Sequence, residues 1–255
     1  MGEENPIGFY RQGNRESMKK LGIIGGLGPM ATAYFFELVV QMTDAKTDQE
    51  HLEIWVHNCP SIPDRSSYIL DHTKENPLAS ILHSGRELCR MGAEWIAIPC
   101  VTAHYFYKEL TESLSVPIIH IVEETAAVLK ESGKKRIGIL ATDGTVASGL
   151  FQKELEKNEM EWVLPRKKEQ QDIMDFIYRQ IKTGQSVERV RFERVTDSLW
   201  EQGAEAIVLG CTELSLVKRE YSLEKGYLDV MEVLAKRSVE LCGAVLKREY
   251  QYLIK

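Results

Sequence analysis

Two cysteines, Cys100 and Cys211, end two near-copies of one segment. GAEWIAIPC (92–100) and GAEAIVLGC (203–211) share Gly, Ala, Glu, Ile and the final Cys in one ungapped register, offset by 111. Two thiols on opposite sides of one carbon can do a particular piece of chemistry. One, as thiolate, removes a proton. The other, as thiol, returns a proton to the opposite face. The outcome is inversion at a carbon that bears an acidic hydrogen. Cysteine suits both roles, because its reference pKa of about 8.5 is lowered by nearby cations and helix N-termini. A lone Cys at a strand end is ordinarily a core residue. The equivalence of Cys100 and Cys211 in the two copies sets them apart. Cys89 and Cys242 lie on apolar helical faces and read as core, and Cys59 has no repeat partner.

The elements that must position these thiols are short and buried. LGIIG (21–25), EIWVHN (53–58), WIAIPC (95–100), PIIHI (117–121), RIGIL (136–140) and AIVLGC (206–211) are apolar runs without polar alternation, the pattern of strands covered on both faces. Helical patterns at 29–46, 75–91, 147–157, 169–182, 187–202 and 229–248 separate them. Strand–helix alternation predicts parallel sheets with helices on both sides. KKLGIIGGLGPMA (19–31) also resembles KKRIGILATDGTVA (134–147), at an offset of about 116. Two landmarks in the same order predict two related α/β halves. Ligands of such sheets bind beyond the carboxyl ends of the strands, so the halves should face each other across a cleft holding both thiols. Thr102 and Thr212 are the expected helix N-caps after each cysteine. Helix N-termini there should favour thiolate and attract a carboxylate.

Composition narrows the class. The 255 residues are 44% hydrophobic and 27% charged, with a net charge of -6, as in globular proteins. No basic stripe interleaved with aromatics appears, which argues against nucleic acid as a partner. No apolar run reaches the roughly 18 residues that span a bilayer, so no membrane partner is expected. The polar opening MGEENPIGFYRQGNRES lacks the apolar stretch of a secretory signal; residues 1–17 read as a flexible extension. Five cysteines without paired spacing argue against a disulfide framework and fit a reducing cytoplasm. The expected domains are 18–117 plus 228–255, with a returning C-terminal helix, and 118–227.

With these motifs in place, the chain resembles the aspartate/glutamate racemase superfamily, and most closely its aspartate racemase branch. The matching segments are IIGGLGPMAT (23–32), NCPSIPDR (58–65), IPCVTAH (98–104), ILATDGTVASG (139–149), IKTG (181–184), VLGCTEL (208–214) and LDVMEVLA (228–235). The resemblance implies two pseudo-symmetric three-layer α/β domains with the active site between them, no pyridoxal phosphate, no metal and a homodimer. It implies an amino-acid racemase, aspartate first and glutamate second, with Cys100 and Cys211 as opposing bases. Thr102 and Thr212 would bind the substrate's α-carboxylate, and the Gly26–Gly28 loop would close over it. Arg65 and Lys182 would hold a side-chain carboxylate. Asn58, Val101 and Glu213 fall at the remaining binding positions. The family usually has Asn where this chain has Val101, and a small hydroxyl residue where it has Met231, which puts the substrate in question.

Other readings stand beside this one. Gly26, Gly28 and Ala31 fit a G-x-G-x-x-A dinucleotide loop, but the second strand ends in Asn58 and Cys59 instead of an acidic residue for the ribose. An isomerase or decarboxylase of another small carboxylate would keep the same thiols. A silent ligand-binding relative would keep the cleft without turnover. His104 reads equally as a group supporting Cys100 or as a satisfied buried polar residue, and Asp64 reads as a cap or a partner for Arg65.

Overall fold

The computed structural model describes residues 18–223 and 225–254; the extension expected at 1–17 lies outside them. Two parallel sheets form the frame. The first contains β1 (Leu21–Gly25), β2 (Ile54–Asn58) and β3 (Trp95–Ala97) in the order β2-β1-β3. The second contains β4 (Arg136–Leu140), β5 (Glu161–Val163), β6 (Ala206–Leu209) and β7 (Tyr227–Asp229) in the order β5-β4-β6-β7. The strand that opens each half is flanked by the next two in the same arrangement, as the internal repeat predicts. Every residue of β1 and β6 is buried, which explains their unbroken apolar sequences.

The segment 117–121 departs from expectation. It contributes one parallel bridge, Ile118 to Ile96, and not a strand. His120 caps a helix by accepting from the Glu123 N–H at 3.1 Å, which turns the chain away from the sheet. In the second half β7 takes the corresponding edge. Its last residues cross the expected domain boundary at 227/228. Neither β5 (Glu161–Val163) nor β7 (Tyr227–Asp229) reads as an apolar run in the sequence, since each carries an acidic residue among its three.

Helices of the first half are α1 (Pro29–Met42), α2 (Arg65–Leu70), α3 (Leu78–Arg90) and α4 (Tyr107–Ser113), followed by α5 (Ile121–Glu131). The second half adds α6 (Asp143–Ser148), α7 (Leu150–Lys157), α8 (Lys167–Asp175), α9 (Arg189–Glu201), α10 (Leu214–Tyr221) and α11 (Val230–Leu241). Pro29 opens α1 at its first position, where its missing N–H costs nothing. α11 stops at Leu241 and not at 248, because Gly243 takes a left-handed φ of 81° just beyond it. The stretch expected as one helix over 169–182 is broken. α8 ends at Asp175, a π-helical turn follows over Phe176–Gln180, and a 3-10 turn over Ile181–Thr183 ends at Gly184.

One apolar cluster runs through both halves. It joins Leu21 and Ile23 of β1 to Ile137 and Ile139 of β4 and to Val233 and Leu234 of α11. Each such side chain, fully buried, is worth about 1.5–3 kcal/mol. α11 returns from the second half to pack on α1 and α5. The halves are thereby fixed with the carboxyl ends of β3 and β6 turned to a common cleft.

Candidate active site

Cys100 follows β3 and stands at the start of a 3-10 turn over Val101–Phe106. Its thiol lies 3.2 Å from the Thr102 hydroxyl. Its carbonyl meets Nδ1 of His104 at 3.0 Å, and Nε2 of the same ring accepts from the Ile121 N–H at 3.4 Å. Nε2 also lies 3.2 Å from the Ile119 carbonyl; a neutral ring with its proton on Nδ1 satisfies the Cys100 carbonyl and the Ile121 N–H, and one with its proton on Nε2 satisfies the Ile119 carbonyl. Burial, and then the neighbouring His120, push the His104 pKa down to about 4. His104 is therefore an uncharged strut under Cys100, joining the thiol's backbone to the start of α5.

Cys211 follows β6, and its S–H donates to Glu213 Oε2 at 3.0 Å. The other oxygen of Glu213 receives the Lys182 ammonium at 2.6 Å. The Thr212 hydroxyl also reaches Glu213, at 3.4 Å. Thr102 and Thr212 thus fail as helix caps: their hydroxyls serve a thiol and a carboxylate, and Glu213 itself precedes α10. The consequence for Cys211 is the reverse of expectation. Burial first, and the Glu213 carboxylate second, push its thiol well above the ordinary value. A negative charge stands between this thiol and the helix N-terminus that was expected to acidify it.

Arg65 is the first residue of α2, with Asp64 as cap. Asp64 accepts from the Ser67 N–H at 2.7 Å and from its hydroxyl at 2.9 Å. Burial opposes the Asp64 charge, but these bonds, Arg65 and the Tyr178 hydroxyl hold its carboxyl below the usual range. The Arg65 guanidinium donates to the carbonyls of Leu27 at 2.8 Å and Pro63 at 3.0 Å. Its Nε, also buried, has no partner among the described residues. Burial disfavours its charge; coupling to Cys100 and Asp64 more than restores it. The bond to Leu27 pins the glycine loop, whose Gly26 has a φ of 90° and whose N–H donates to Thr32 Oγ1 at 3.0 Å. A Cβ on Gly26 would lie 2.4 Å from the Cys59 backbone, so no side chain fits there.

Hydroxyls stitch the two halves across the cleft. Ser66 of α2 donates to Thr142 at 3.0 Å, and the Thr142 and Thr145 hydroxyls are 3.1 Å apart. Tyr178, on the π-helical turn, donates to Asp64 at 3.1 Å. Both thiols line one narrow cavity with Arg65, Thr102, Thr212 and Glu213, of about 10 Å³. That is the size of one water-sized sphere. Arg65, Lys182 and Glu213 also line an adjoining cavity of about 330 Å³ under Gly26, Gly28 and Met30. Val101 lines the narrow cavity, and its side chain belongs to the apolar core. Asn58 lines neither cavity; it is exposed at the end of the edge strand β2, where the chain turns away at Pro60. Among the described residues no cluster of three or more His, Cys, Asp or Glu has the arrangement of a metal site.

The Asp/Glu/hydantoin racemase family matches residues 24–237. The chain belongs to this family. It is 30% identical over 230 residues to the broad-specificity amino-acid racemase RacX of Bacillus subtilis, covering 86% of this chain and 96% of that one. The aspartate racemase of Picrophilus torridus superposes with a TM-score of 0.82 at 32% identity, over 92% of this chain and 99% of its own. Glutamate racemase of Francisella tularensis, solved with D-glutamate, shares the fold at a TM-score of 0.65 and 13% identity, over 88% and 81%. This racemase is therefore an isomerase of the amino-acid racemase class, with the two-domain architecture that the sequence predicts. No helix among its described residues is long and apolar enough to cross a membrane.

Most of the expected site residues come together: Gly26, Gly28, Arg65, Cys100, Val101, Thr102, Lys182, Cys211, Thr212 and Glu213 line the paired cavities. Ser66, Thr142, Thr145 and Tyr178 were not singled out in the sequence. Thr142 and Thr145 lie inside ILATDGTVASG, at the place matching the glycine loop of the other half. Tyr178 has no motif, because the turn that presents it reads as plain helix.

Proposed function

We propose that this racemase inverts the α-carbon of an acidic amino acid, aspartate first and glutamate second, without a cofactor, by two-base proton exchange between Cys100 and Cys211. The observation that carries this reading is the placement of the two thiols, one from each half, on a single cavity with Arg65, Thr102 and Thr212. The S–H of Cys211 already donates to Glu213, which makes it the proton donor of the resting arrangement. Cys100, facing the Arg65 cation, takes the role of base. Its thiolate accepts the α-proton, the bonding pair stays on carbon, and Cys211 delivers its proton to the opposite face. The turnover ends with a thiol at Cys100 and a thiolate at Cys211, ready for the reverse substrate.

Thr102, Thr212 and adjacent N–H groups take the α-carboxylate, whose negative charge grows as the carbanion forms. Lys182 and Arg65 take the side-chain carboxylate, beneath the loop at Gly26 and Gly28. Asn58, which lines neither cavity, takes a role in holding the loop at Cys59 and Pro60. Five free thiols fit a reducing cytoplasm, and a homodimer completes the reading, to be tested by light scattering.

Proton NMR of the reduced protein with L-aspartate or L-glutamate in deuterated buffer, followed by chiral chromatography, tests the activity. Loss of the α-proton with appearance of the D-isomer supports it. Cys100→Ser and Cys211→Ser should each lower turnover by about 10³-fold or more. Wild-type turnover in both variants would remove the two-base mechanism. A different small carboxylate that turns over while amino acids do not would favour the alternative isomerase or decarboxylase, a reading kept open by the apolar Val101.

A further inference from the structure

Tyr178 stands at a junction that no motif announces. The chain widens there into the π-helical turn Phe176–Gln180, a geometry found frequently at functional sites. Phe176 and Ile177 anchor the turn in the second apolar cluster, and the half-buried Tyr178 packs against that cluster while also bordering the cleft. Its hydroxyl bonds Asp64, the cap beneath Arg65. Its ring lies 5.5 Å from the Lys182 ammonium, within reach of a cation–π attraction. One side chain thus supports both cations assigned to the substrate's side-chain carboxylate.

Tyr178 also lines two cavities. One is the narrow cavity of the thiols. The other is an outer cavity of about 540 Å³, walled by Asp143, Asp172, Asp175, Arg179 and Arg191. Tyr178 is the residue that borders both. Burial and the Asp64 carboxylate push its phenol far above the ordinary value, so it stays neutral and a hydrogen-bond donor.

We infer that Tyr178 is a specificity-determining residue, which keeps short acidic side chains in place by steadying Lys182 and Arg65 and refuses bulky ones by closing off the outer cavity. The inference rests on the proposed amino-acid racemase reading and names its size limit. A phenylalanine at this position keeps the wall and loses the Asp64 bond. An alanine loses both.

The test compares aspartate with methionine in the parent, Tyr178→Phe and Tyr178→Ala proteins. Two readouts are taken: kcat/KM by α-proton exchange, and Kd by calorimetry. The ratio of the two substrates is internal to each protein, so loss of folded material cancels. Tyr178→Phe should raise KM for aspartate by about 3–10-fold, with kcat little changed, as one hydrogen bond near a cation is lost. Tyr178→Ala should move the aspartate-to-methionine ratio toward methionine by on the order of tenfold or more. Unchanged ratios in both variants would overturn the role of Tyr178. If the ratio of Kd values shifts while no protein exchanges an α-proton, the racemase reading fails and the size limit of the pocket stands.

Discussion

At the residue scale the two thiols are unequal. Cys100 faces a cation and a hydroxyl; Cys211 faces a carboxylate. Glu213 is shared by Cys211, Thr212 and Lys182, so its charge raises one thiol and is itself balanced by one ammonium. In Glu213→Gln the like charge beside Cys211 disappears. A thiolate is then easier to form, and the Cys211 pKa should fall. The alkaline rise in alkylation of Cys211, measured by mass spectrometry against pH, should shift toward lower pH by about 1 unit or more. No shift would show that burial alone controls this thiol. Turnover should fall as well, because Lys182 loses its partner and its orientation.

At the element scale, the approach of α2 to α6 closes the cleft. A Cβ on Gly144 would lie 2.6 Å from the Cα and 2.8 Å from the Cβ of Ser66. Alanine in a helix interior ordinarily gains about 1 kcal/mol over glycine. Here overpacking against backbone, at about 1–3 kcal/mol, opposes and outweighs it. Gly144→Ala should therefore lower the Tm and raise KM, and Ser66→Gly added to it should recover part of both losses. Strict additivity of the two changes would show that they do not meet. This approach was hidden in the sequence, since a glycine before a threonine reads as a simple turn. The parallel sheets, the paired halves and both cysteines were legible because burial and duplication leave periodic, repeated marks. Tyr178 and the π-helical turn were not, since an extra residue in a helix leaves the apolar pattern nearly unchanged. The caps at Thr102 and Thr212 were misread because a hydroxyl offers the same signature whether it serves a backbone N–H, a thiol or a carboxylate.

At the scale of the whole molecule, one apolar core joins the halves, and buried charge tunes its stability. Asp229, at the end of β7, accepts from Ser215 at 2.6 Å and from the Met231 N–H at 2.8 Å, while its second oxygen has no partner among the described residues. Burial, with Glu232 second, raises its carboxyl to about 7. Between the ordinary carboxylate value near 4 and this raised value the folded chain holds a proton that the unfolded chain has released. This group therefore lowers stability as pH rises through that window. Asp229→Asn has no proton to give up, so its stability relative to the parent should increase from about pH 4 to pH 8. Denaturant melts at four pH values measure the difference, and a constant difference would deny Asp229 its raised value.

A cavity of one water's volume around two thiols also sets a rhythm. The bond of Ser66 to Thr142 ties the halves together across this cavity, and an amino acid reaches the thiols more easily when they part. On the two-base reading, the expected slow event is the parting of the halves, with proton transfer following once they close. Deuterium at the α-carbon should barely slow steady-state turnover, whereas added sucrose or glycerol should slow it nearly in proportion to solvent viscosity. Thr142→Ala, with one latch removed, should reverse that order of sensitivity: viscosity would matter less and the isotope more.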